Sequence, residues 1–194
     1  STSRRQRQMC IRDRIYLYKS GSTIYEIEPL SEYLAAQVSS ILCPSYVDYD
    51  LDRYHGRLIS TCKLFTDEKT GYISASRIFM RKQSISNMLD YFNALDSGDS
   101  FRRMCVLDAL IFNVDRHLGN FGILIDNDTF KPLRMAPVFD HNQSLFPSVD
   151  DDHIGNLTWY ASRSSPRFGT DLNVTAHALL TDSIRSDLKN LHGF

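Results

Sequence analysis

Residues 109–140, ALIFNVDRHLGNFGILIDNDTFKPLRMAPVFD, decide how the rest of the chain is read. An apolar segment enters the polar cluster Asn113-Val114-Asp115-Arg116-His117-Leu118-Gly119-Asn120. A short apolar run from Phe121 to Ile125 then breaks at Asn127-Asp128, and a second run ends on Phe139-Asp140. The pattern predicts a buried helix, a polar loop, a strand, a turn and a return strand. Asp115, Asn120 and Asp140 thereby fall at element boundaries, where rigid neighbours can fix them. Oxygen ligands of this kind suit a hard divalent cation, and an Asp in the loop can take the proton of an attacking hydroxyl. This is the layout of a metal-nucleotide phosphotransfer site.

The surrounding composition is ordinary for a soluble globular protein: 194 residues, 42% hydrophobic and 23% charged. That length allows one good-sized core or two small lobes. A formal net charge of -1 supplies no electrostatic footprint for nucleic acid or an anionic membrane. No apolar run is long enough to span a bilayer and none looks like a signal peptide, so a cytoplasmic protein is expected. Cys10, Cys43, Cys62 and Cys105 form no C-x-x-C pair, which argues against a zinc ribbon or a redox motif.

The first fourteen residues, STSRRQRQMCIRDR, are arginine-rich and lack a hydrophobic period. They read either as a disordered basic arm or as an artefact, because MCIRDR matches one frame of a sequencing-adapter end. We adopt the artefact, set residues 1–14 outside the fold, and expect the natural N-terminus to be missing. From Ile15, IYLYKSG alternates as a strand with Lys19 near its end, and TIYEIE reads as a short extended segment. A lone lysine there is by default a solvated edge charge. EPLSEYLAAQVSSIL follows with Leu30, Leu34, Val38, Ile41 and Leu42 at helical spacing. Pro29 suits the start of this helix and Cys43-Pro44 its end. Glu32, Ala35, Ala36 and Ser39 give it a second, small-residue side fit for close approach.

Strands are expected around YVDYDL and RLISTCKLF with a His55-Gly56 turn, and Lys63 to Phe65 is the candidate hinge to a following lobe. Residues 72–80 fit a strand or a helix start. SISNMLDYFNALDSG predicts an amphipathic helix, and a further helix begins near Asp99 or Ser100 and is apolar almost all round from Met104 to Phe112. Asp108 inside it is expected to brace the following loop. Arg116 is open to two roles, phosphate contact or structure, and His117 likewise to catalysis or loop anchoring. Gly119 is expected to take a positive φ, and Pro137 to stiffen the entry to the last strand. Beyond Ser148, the acidic run Asp150 to Asp152 reads as a solvated loop, and Val174, Leu179, Leu180, Ile184, Leu188 and Leu191 predict one or two more helices.

The run FNVDRHLGNFGIL, followed by APVFDHNQSLFP, resembles the C-terminal kinase domain of HipA-type serine/threonine kinases, as do LYKSG and EPLSEYLAAQ upstream. The resemblance covers roughly residues 15–146. It implies an α+β, two-lobed protein-kinase-like fold, with a reduced N-terminal β lobe over 15–66 and a mainly helical catalytic lobe over 67–194. It implies ATP and Mg2+ as cofactors, Asp115 as catalytic base with His117 beside it, and Asn120 and Asp140 as metal ligands. Lys19 would contact the phosphates with Glu32 as its ion-pair partner, Lys63 and Phe65 would border the adenine, and Ile123 would lie beneath it. A protein substrate and an antitoxin-like partner follow from the same resemblance.

Departures are clear. No G-x-G-x-x-G loop precedes Lys19, Asp140 is followed by His141-Asn142 and not by Phe-Gly, and no A-P-E segment follows. Three alternatives therefore stand beside a HipA-like kinase: a phosphoinositide-type lipid kinase, a metal-dependent phosphohydrolase using Asp115, His117, Asp140 and His141, and an inactive nucleotide-binding regulatory module.

Overall fold

The computed structural model describes residues 6–11, 14–22, 26–79, 84–150 and 152–191, with side chains from Ile15 onward. Thr23 to Tyr25, Asp151, His192 and the side chain of Cys10 lie outside the described residues, together with what the sequence predicts for them.

The first sheet holds β1 (Gln6–Ile11), β2 (Arg14–Ser20), β3 (Asp50–Tyr54) and β4 (Arg57–Lys63) in the order β1-β2-β4-β3, every pair antiparallel. Strand β1 is a correction, since residues 1–14 were set outside the fold. Backbone pairing with β2 from Gln6 opposite Lys19 to Ile11 opposite Arg14 needs no apolar alternation, which is why the side-chain pattern concealed it. The β3–β4 hairpin turns on His55 and Gly56, both at positive φ (50° and 77°), the backbone of a two-residue primed turn. Strand β3 starts later than the sequence predicts, because Tyr46 is drawn away into a parallel bridge with Val138. There Val47 N donates to Val138 O and Val138 N to Ser45 O.

Helix α1 (Glu28–Leu42) has the predicted bounds. Pro29 needs no intrahelical donor in the first turn, and Pro44 holds Cys43 extended (φ -104°, ψ 127°) so the helix stops. Its face is not the leucine stripe: Leu30 and Leu34 are 38% and 43% exposed, while Glu28, Ser31, Glu32, Ala35, Ala36 and Ser39 are buried. Small side chains let the helix approach closely, and that closeness is what brings Glu32 into the interior.

After β4 the chain builds a second sheet, order β5-β6-β7, from β5 (Thr70–Ser74), β6 (Gly122–Asp126) and β7 (Pro132–Met135). Residues 72–79 prove to be both a strand end and a short helix, α2 (Ala75–Ile78). Ser84 caps α3 (Ile85–Asn93) by accepting from Asn87 N. Helix α4 (Gly98–Leu110) is the central one, with Phe101, Met104 and Leu107 wholly buried. The described chain ends in α5 (Leu157–Ser162), α6 (Leu172–Leu179) and α7 (Asp182–Leu188).

Two cores result. The larger joins α3, α4 and the second sheet around Phe92, Phe101, Phe121 and Phe168. The smaller, Ala36, Val47, Tyr49 and Cys62, lies under the first sheet, and α1 contributes to both. Arg103 of α4 closes the far side, donating to Leu42 O at the end of α1 (2.8 Å) and to Asp187 Oδ2 of α7 (2.7 Å).

At Gly122 a Cβ would lie 2.1 Å from Ile73 O and 2.8 Å from Ser74 Cα, both backbone atoms of the paired strand. Gly122→Ala should therefore cost at least about 2 kcal/mol by urea unfolding, since β5 must shift to admit it. Gly155→Ala, where a Cβ meets nothing within 4 Å, is the control and should change stability by less than about 0.5 kcal/mol.

Candidate active site

Lys19 leaves β2 directly opposite Ser60 of β4, pointing at the small-residue side of α1. Its ammonium, 7% exposed by residue, donates to Glu32 Oε1 (2.5 Å) and to Asp140 Oδ1 (2.8 Å). Burial alone would depress this amine, but the Glu32 and Asp140 carboxylates outweigh it and hold Lys19 above its ordinary value, fully charged. Ser60 Oγ donates to the other Glu32 oxygen at 2.6 Å, and the Tyr49 ring lies 5.5 Å from Lys19 Nζ. The default of a solvated edge lysine is overturned: the side chain is interior because the close approach of α1 leaves it nowhere else to pair.

The return strand β7 ends at Met135, short of the predicted end at Asp140, and Asp140 lies five residues beyond it at φ 61°, a left-handed conformation that Asp tolerates better than most residues but still at a cost. Its N–H donates to the Tyr49 hydroxyl (3.3 Å). Beyond it, Gln143 Nε2 donates to Glu28 Oε1 (2.6 Å), and Ser22 N donates to Glu28 Oε2 (3.1 Å). The segment after Asp140 is thus tied to the start of α1 and to the end of β2.

The loop carrying Asp115 is built on a buried ion pair. Arg116, 1% exposed, donates to both Asp108 oxygens at 2.9 Å, from Nε and Nη2. Its Nη1 donates to the carbonyls of Asn120 (2.9 Å) and Phe139 (2.7 Å). One guanidinium therefore fastens the loop both to α4 and to the residue before Asp140. Of the two roles open to Arg116, phosphate contact is excluded by this enclosure. Asp108 braces the loop as expected, and Asn113 Nδ2 adds a further bond to it at 3.0 Å. Burial pushes the Asp108 carboxyl up, while Arg116 pulls it back down.

Within the loop, His117 Nδ1 accepts from Gly119 N (3.0 Å), and Tyr72 donates to Gly119 O (3.2 Å). Gly119 is not among the positive-φ residues, so that expectation is corrected. Glycine is needed there because a Cβ would stand 2.8 Å from the His117 ring. Asn120 is buried, with its side-chain amide 3.5 Å from Asp115 O. Asp115 N donates to Asn113 Oδ1, and Asp115 Oδ1 is 3.0 Å from Arg167 Nη1. His141 is wholly buried, and burial with the nearby Arg116 cation keeps it well below its ordinary value, hence neutral.

The adenine-side expectations fare unevenly. Phe65 packs edge-on to Tyr72 (5.7 Å) and against Phe139 (5.4 Å), so it does border the Asp140 region. Lys63 is exposed at the end of β4, and Leu64 N is already committed to Ile15 O (3.1 Å). Ile123 is 3% exposed inside the core, offers a ligand almost no surface, and supports the sheet instead. Ser60, Tyr49, Gln143 and Arg167 were missed. Only Ser60 carried a signal, as a small polar residue in an otherwise apolar strand segment.

Comparison with known proteins adds three findings. No family model matches the chain. The chain is 29% identical over 136 residues to the serine/threonine-protein kinase CtkA of Helicobacter pylori, covering 62% of this chain and 42% of that one, so the match spans less than half the length of the curated relative. The crystal structure of a Helicobacter pylori proinflammatory kinase CtkA superposes with a TM-score of 0.66 at 19% identity, over 97% of this chain and 84% of that chain. The mixed fold, two small sheets with seven helices among the described residues, is the fold of that kinase.

Arg116→Met leaves Asp108 buried without its cation and should destabilise the protein by about 3–5 kcal/mol in urea unfolding. Adding Asp108→Leu should recover part of that loss, because the penalty lies in the orphaned charge and not in the absent pair.

Proposed function

We propose that the chain is an ATP- and magnesium-dependent phosphotransferase of the HipA-like kinase type, passing the γ-phosphate to a Ser/Thr hydroxyl of a protein. The observation that carries this reading is the Lys19 ammonium held between Glu32 of α1 and Asp140, with Asp115 and Asn120 fastened beside Asp140 through Arg116. A lysine fixed by a helix glutamate and adjoining a carboxylate is a phosphate-binding arrangement. The CtkA relative, a serine/threonine-protein kinase, supports the same reaction class and acceptor.

The donor set fits the cofactors. Asp140 and Asn120 offer one carboxylate and one carboxamide oxygen, too few for a self-sufficient cage. They suit Mg2+, which keeps waters and takes substrate phosphates as its remaining ligands. When bound, magnesium neutralises charge developing on the phosphates. Lys19 contacts phosphate oxygens, oriented by Glu32, while Asp115 accepts the proton of the attacking hydroxyl. The hydroxyl oxygen bonds to the γ-phosphorus, the β–γ P–O bond breaks, and ADP leaves with its electron pair. The resemblance to HipA-type kinases extends the proposal to a cytoplasmic protein substrate and an antitoxin-like partner.

The phosphohydrolase alternative is disfavoured. Among the described residues no group of three or more His, Cys, Asp or Glu could hold a metal, and His141 is enclosed against Arg116. No helix among the described residues is long and apolar enough to cross a membrane.

Asp115→Asn should lower phosphate transfer from labelled ATP by about 10²-fold or more while MgATP binding stays within a factor of about three. Asp140→Asn should weaken Mg-dependent nucleotide binding by roughly tenfold or more. A wild-type chain that neither binds MgATP nor transfers label to itself or to dephosphorylated casein would sink the kinase reading.

A further inference from the structure

Arg167 lies fifty-two residues beyond Asp115 in the chain, yet its Nη1 stands 3.0 Å from Asp115 Oδ1. The guanidinium side chain is 65% exposed and the carboxylate 15%. So exposed a pair contributes about 0–1 kcal/mol to folding, too little for the fold to depend on it. The backbone that delivers Arg167 is, by contrast, firmly held. Arg167 N donates to Val114 O (3.0 Å), the residue before Asp115. Phe168 is 9% exposed, with its ring 5.2 Å from Phe121 and 6.2 Å from Phe101 in the main core. Gly169 then turns at φ +77°, and a Cβ there would lie 2.8 Å from Thr175 Oγ1. A segment anchored on both sides thus presents a largely exposed cation to the carboxylate proposed as base.

We propose that Arg167 is a positioning residue for phosphate transfer, holding the Asp115 carboxylate in the orientation that accepts the proton of the acceptor hydroxyl. This rests on the phosphotransferase reading. Asp115 N is fixed through Asn113 Oδ1 and its backbone neighbour through Arg167 N, and the Arg167 guanidinium adds a contact at the carboxylate oxygen itself, where it bears on the side-chain rotamers. A cation at one oxygen selects among those rotamers without closing the site, because the guanidinium approaches from the solvent side. In the step it serves, the hydroxyl oxygen bonds to the γ-phosphorus, the β–γ P–O bond breaks toward ADP, and the proton passes to Asp115. Arg167 gains and loses nothing.

The test is a double-variant cycle on Arg167→Ala and Asp115→Asn, with Arg167→Lys as the conservative variant and dephosphorylated casein as acceptor. Arg167→Ala should keep the thermal midpoint and MgATP affinity of the parent, raise KM for casein by less than about threefold, and lower kcat by about 30-fold or more through misplacement of the base. Arg167→Lys should recover much of that kcat. In the Asp115→Asn background, Arg167→Ala should cost nothing further, since the group it positions is gone. Arg167→Ala with kcat within twofold of the parent overturns the assignment, as does additive loss in the double variant. An increase in kcat overturns it too, by showing the contact to be an inhibitory latch. These outcomes require an active wild type; a wild type without transfer activity fails the kinase reading itself and takes the role of Arg167 with it.

Discussion

A buried ammonium shared by two carboxylates is the constraint on which the arrangement depends. Lys19 comes from the first sheet, Glu32 from α1, and Asp140 from the segment that follows β7. Taking three charges out of water is expensive, and only close mutual pairing offsets it. The pairing in turn requires α1 to lie close against the sheet, which is why its inward side there is Ser31, Ala35, Ala36 and Ser39 while Leu30 and Leu34 face outward. Ser60 completes the hydrogen bonding of Glu32, so the second carboxylate oxygen is also satisfied. Removing the helix from this position would take Glu32 from Lys19 and leave the buried ammonium with Asp140 as its remaining carboxylate partner in this trio.

A second ion pair, Asp108 with Arg116, performs a different task. It does not join the two sheets; it fixes the loop between α4 and β6 and hands that loop to the Asp140 segment through the carbonyls of Asn120 and Phe139. Arginine suits the position because its planar fork can serve a bidentate carboxylate and two carbonyls together, which a lysine ammonium cannot do from one direction. The strained φ of Asp140 is sustained by the same neighbourhood: Arg116 holds the preceding carbonyl, Tyr49 receives the Asp140 N–H, and Lys19 holds the side chain.

Much of this was legible from residue order. Pro29 and Cys43-Pro44 delimit α1 to the residue, and the apolar run before Asn113 marks the buried helix that supports the loop. The pairing of Lys19 with Glu32 was only weakly legible from the order of strand lysine and helix glutamate, since many strands carry a lysine and many helices a glutamate. Other features were hidden for physical reasons. The apolar period of α1 predicts the buried face only at its C-terminal end, where Val38 and Leu42 meet the core, because close packing of small residues chose the inward side of its first turns. Strand β1 escaped because backbone pairing leaves little trace in an arginine-rich segment. Gly119 was assigned to backbone freedom when the constraint is the His117 ring above it. Arg167 has no sequence signal at all, because its contact is created by the burial of Phe168 beside it.

The two ends of the site differ in a way that bears on the proposed phosphotransfer. On the side proposed for nucleotide the charges are enclosed, and Lys19 is already bound by its carboxylates. Preorganised charge of this kind costs no rearrangement when phosphate enters and is worth more where water is excluded. On the acceptor side the carboxylate of Asp115 is only 15% exposed, but its cation Arg167 is 65% exposed. In the proposed reaction a protein hydroxyl enters and leaves there, so an enclosed pair would obstruct it, while a misaligned carboxylate would lose the geometry that transfer demands. An exposed arginine on a buried anchor meets both requirements: Phe168 supplies the rigidity, and the open guanidinium leaves the approach clear.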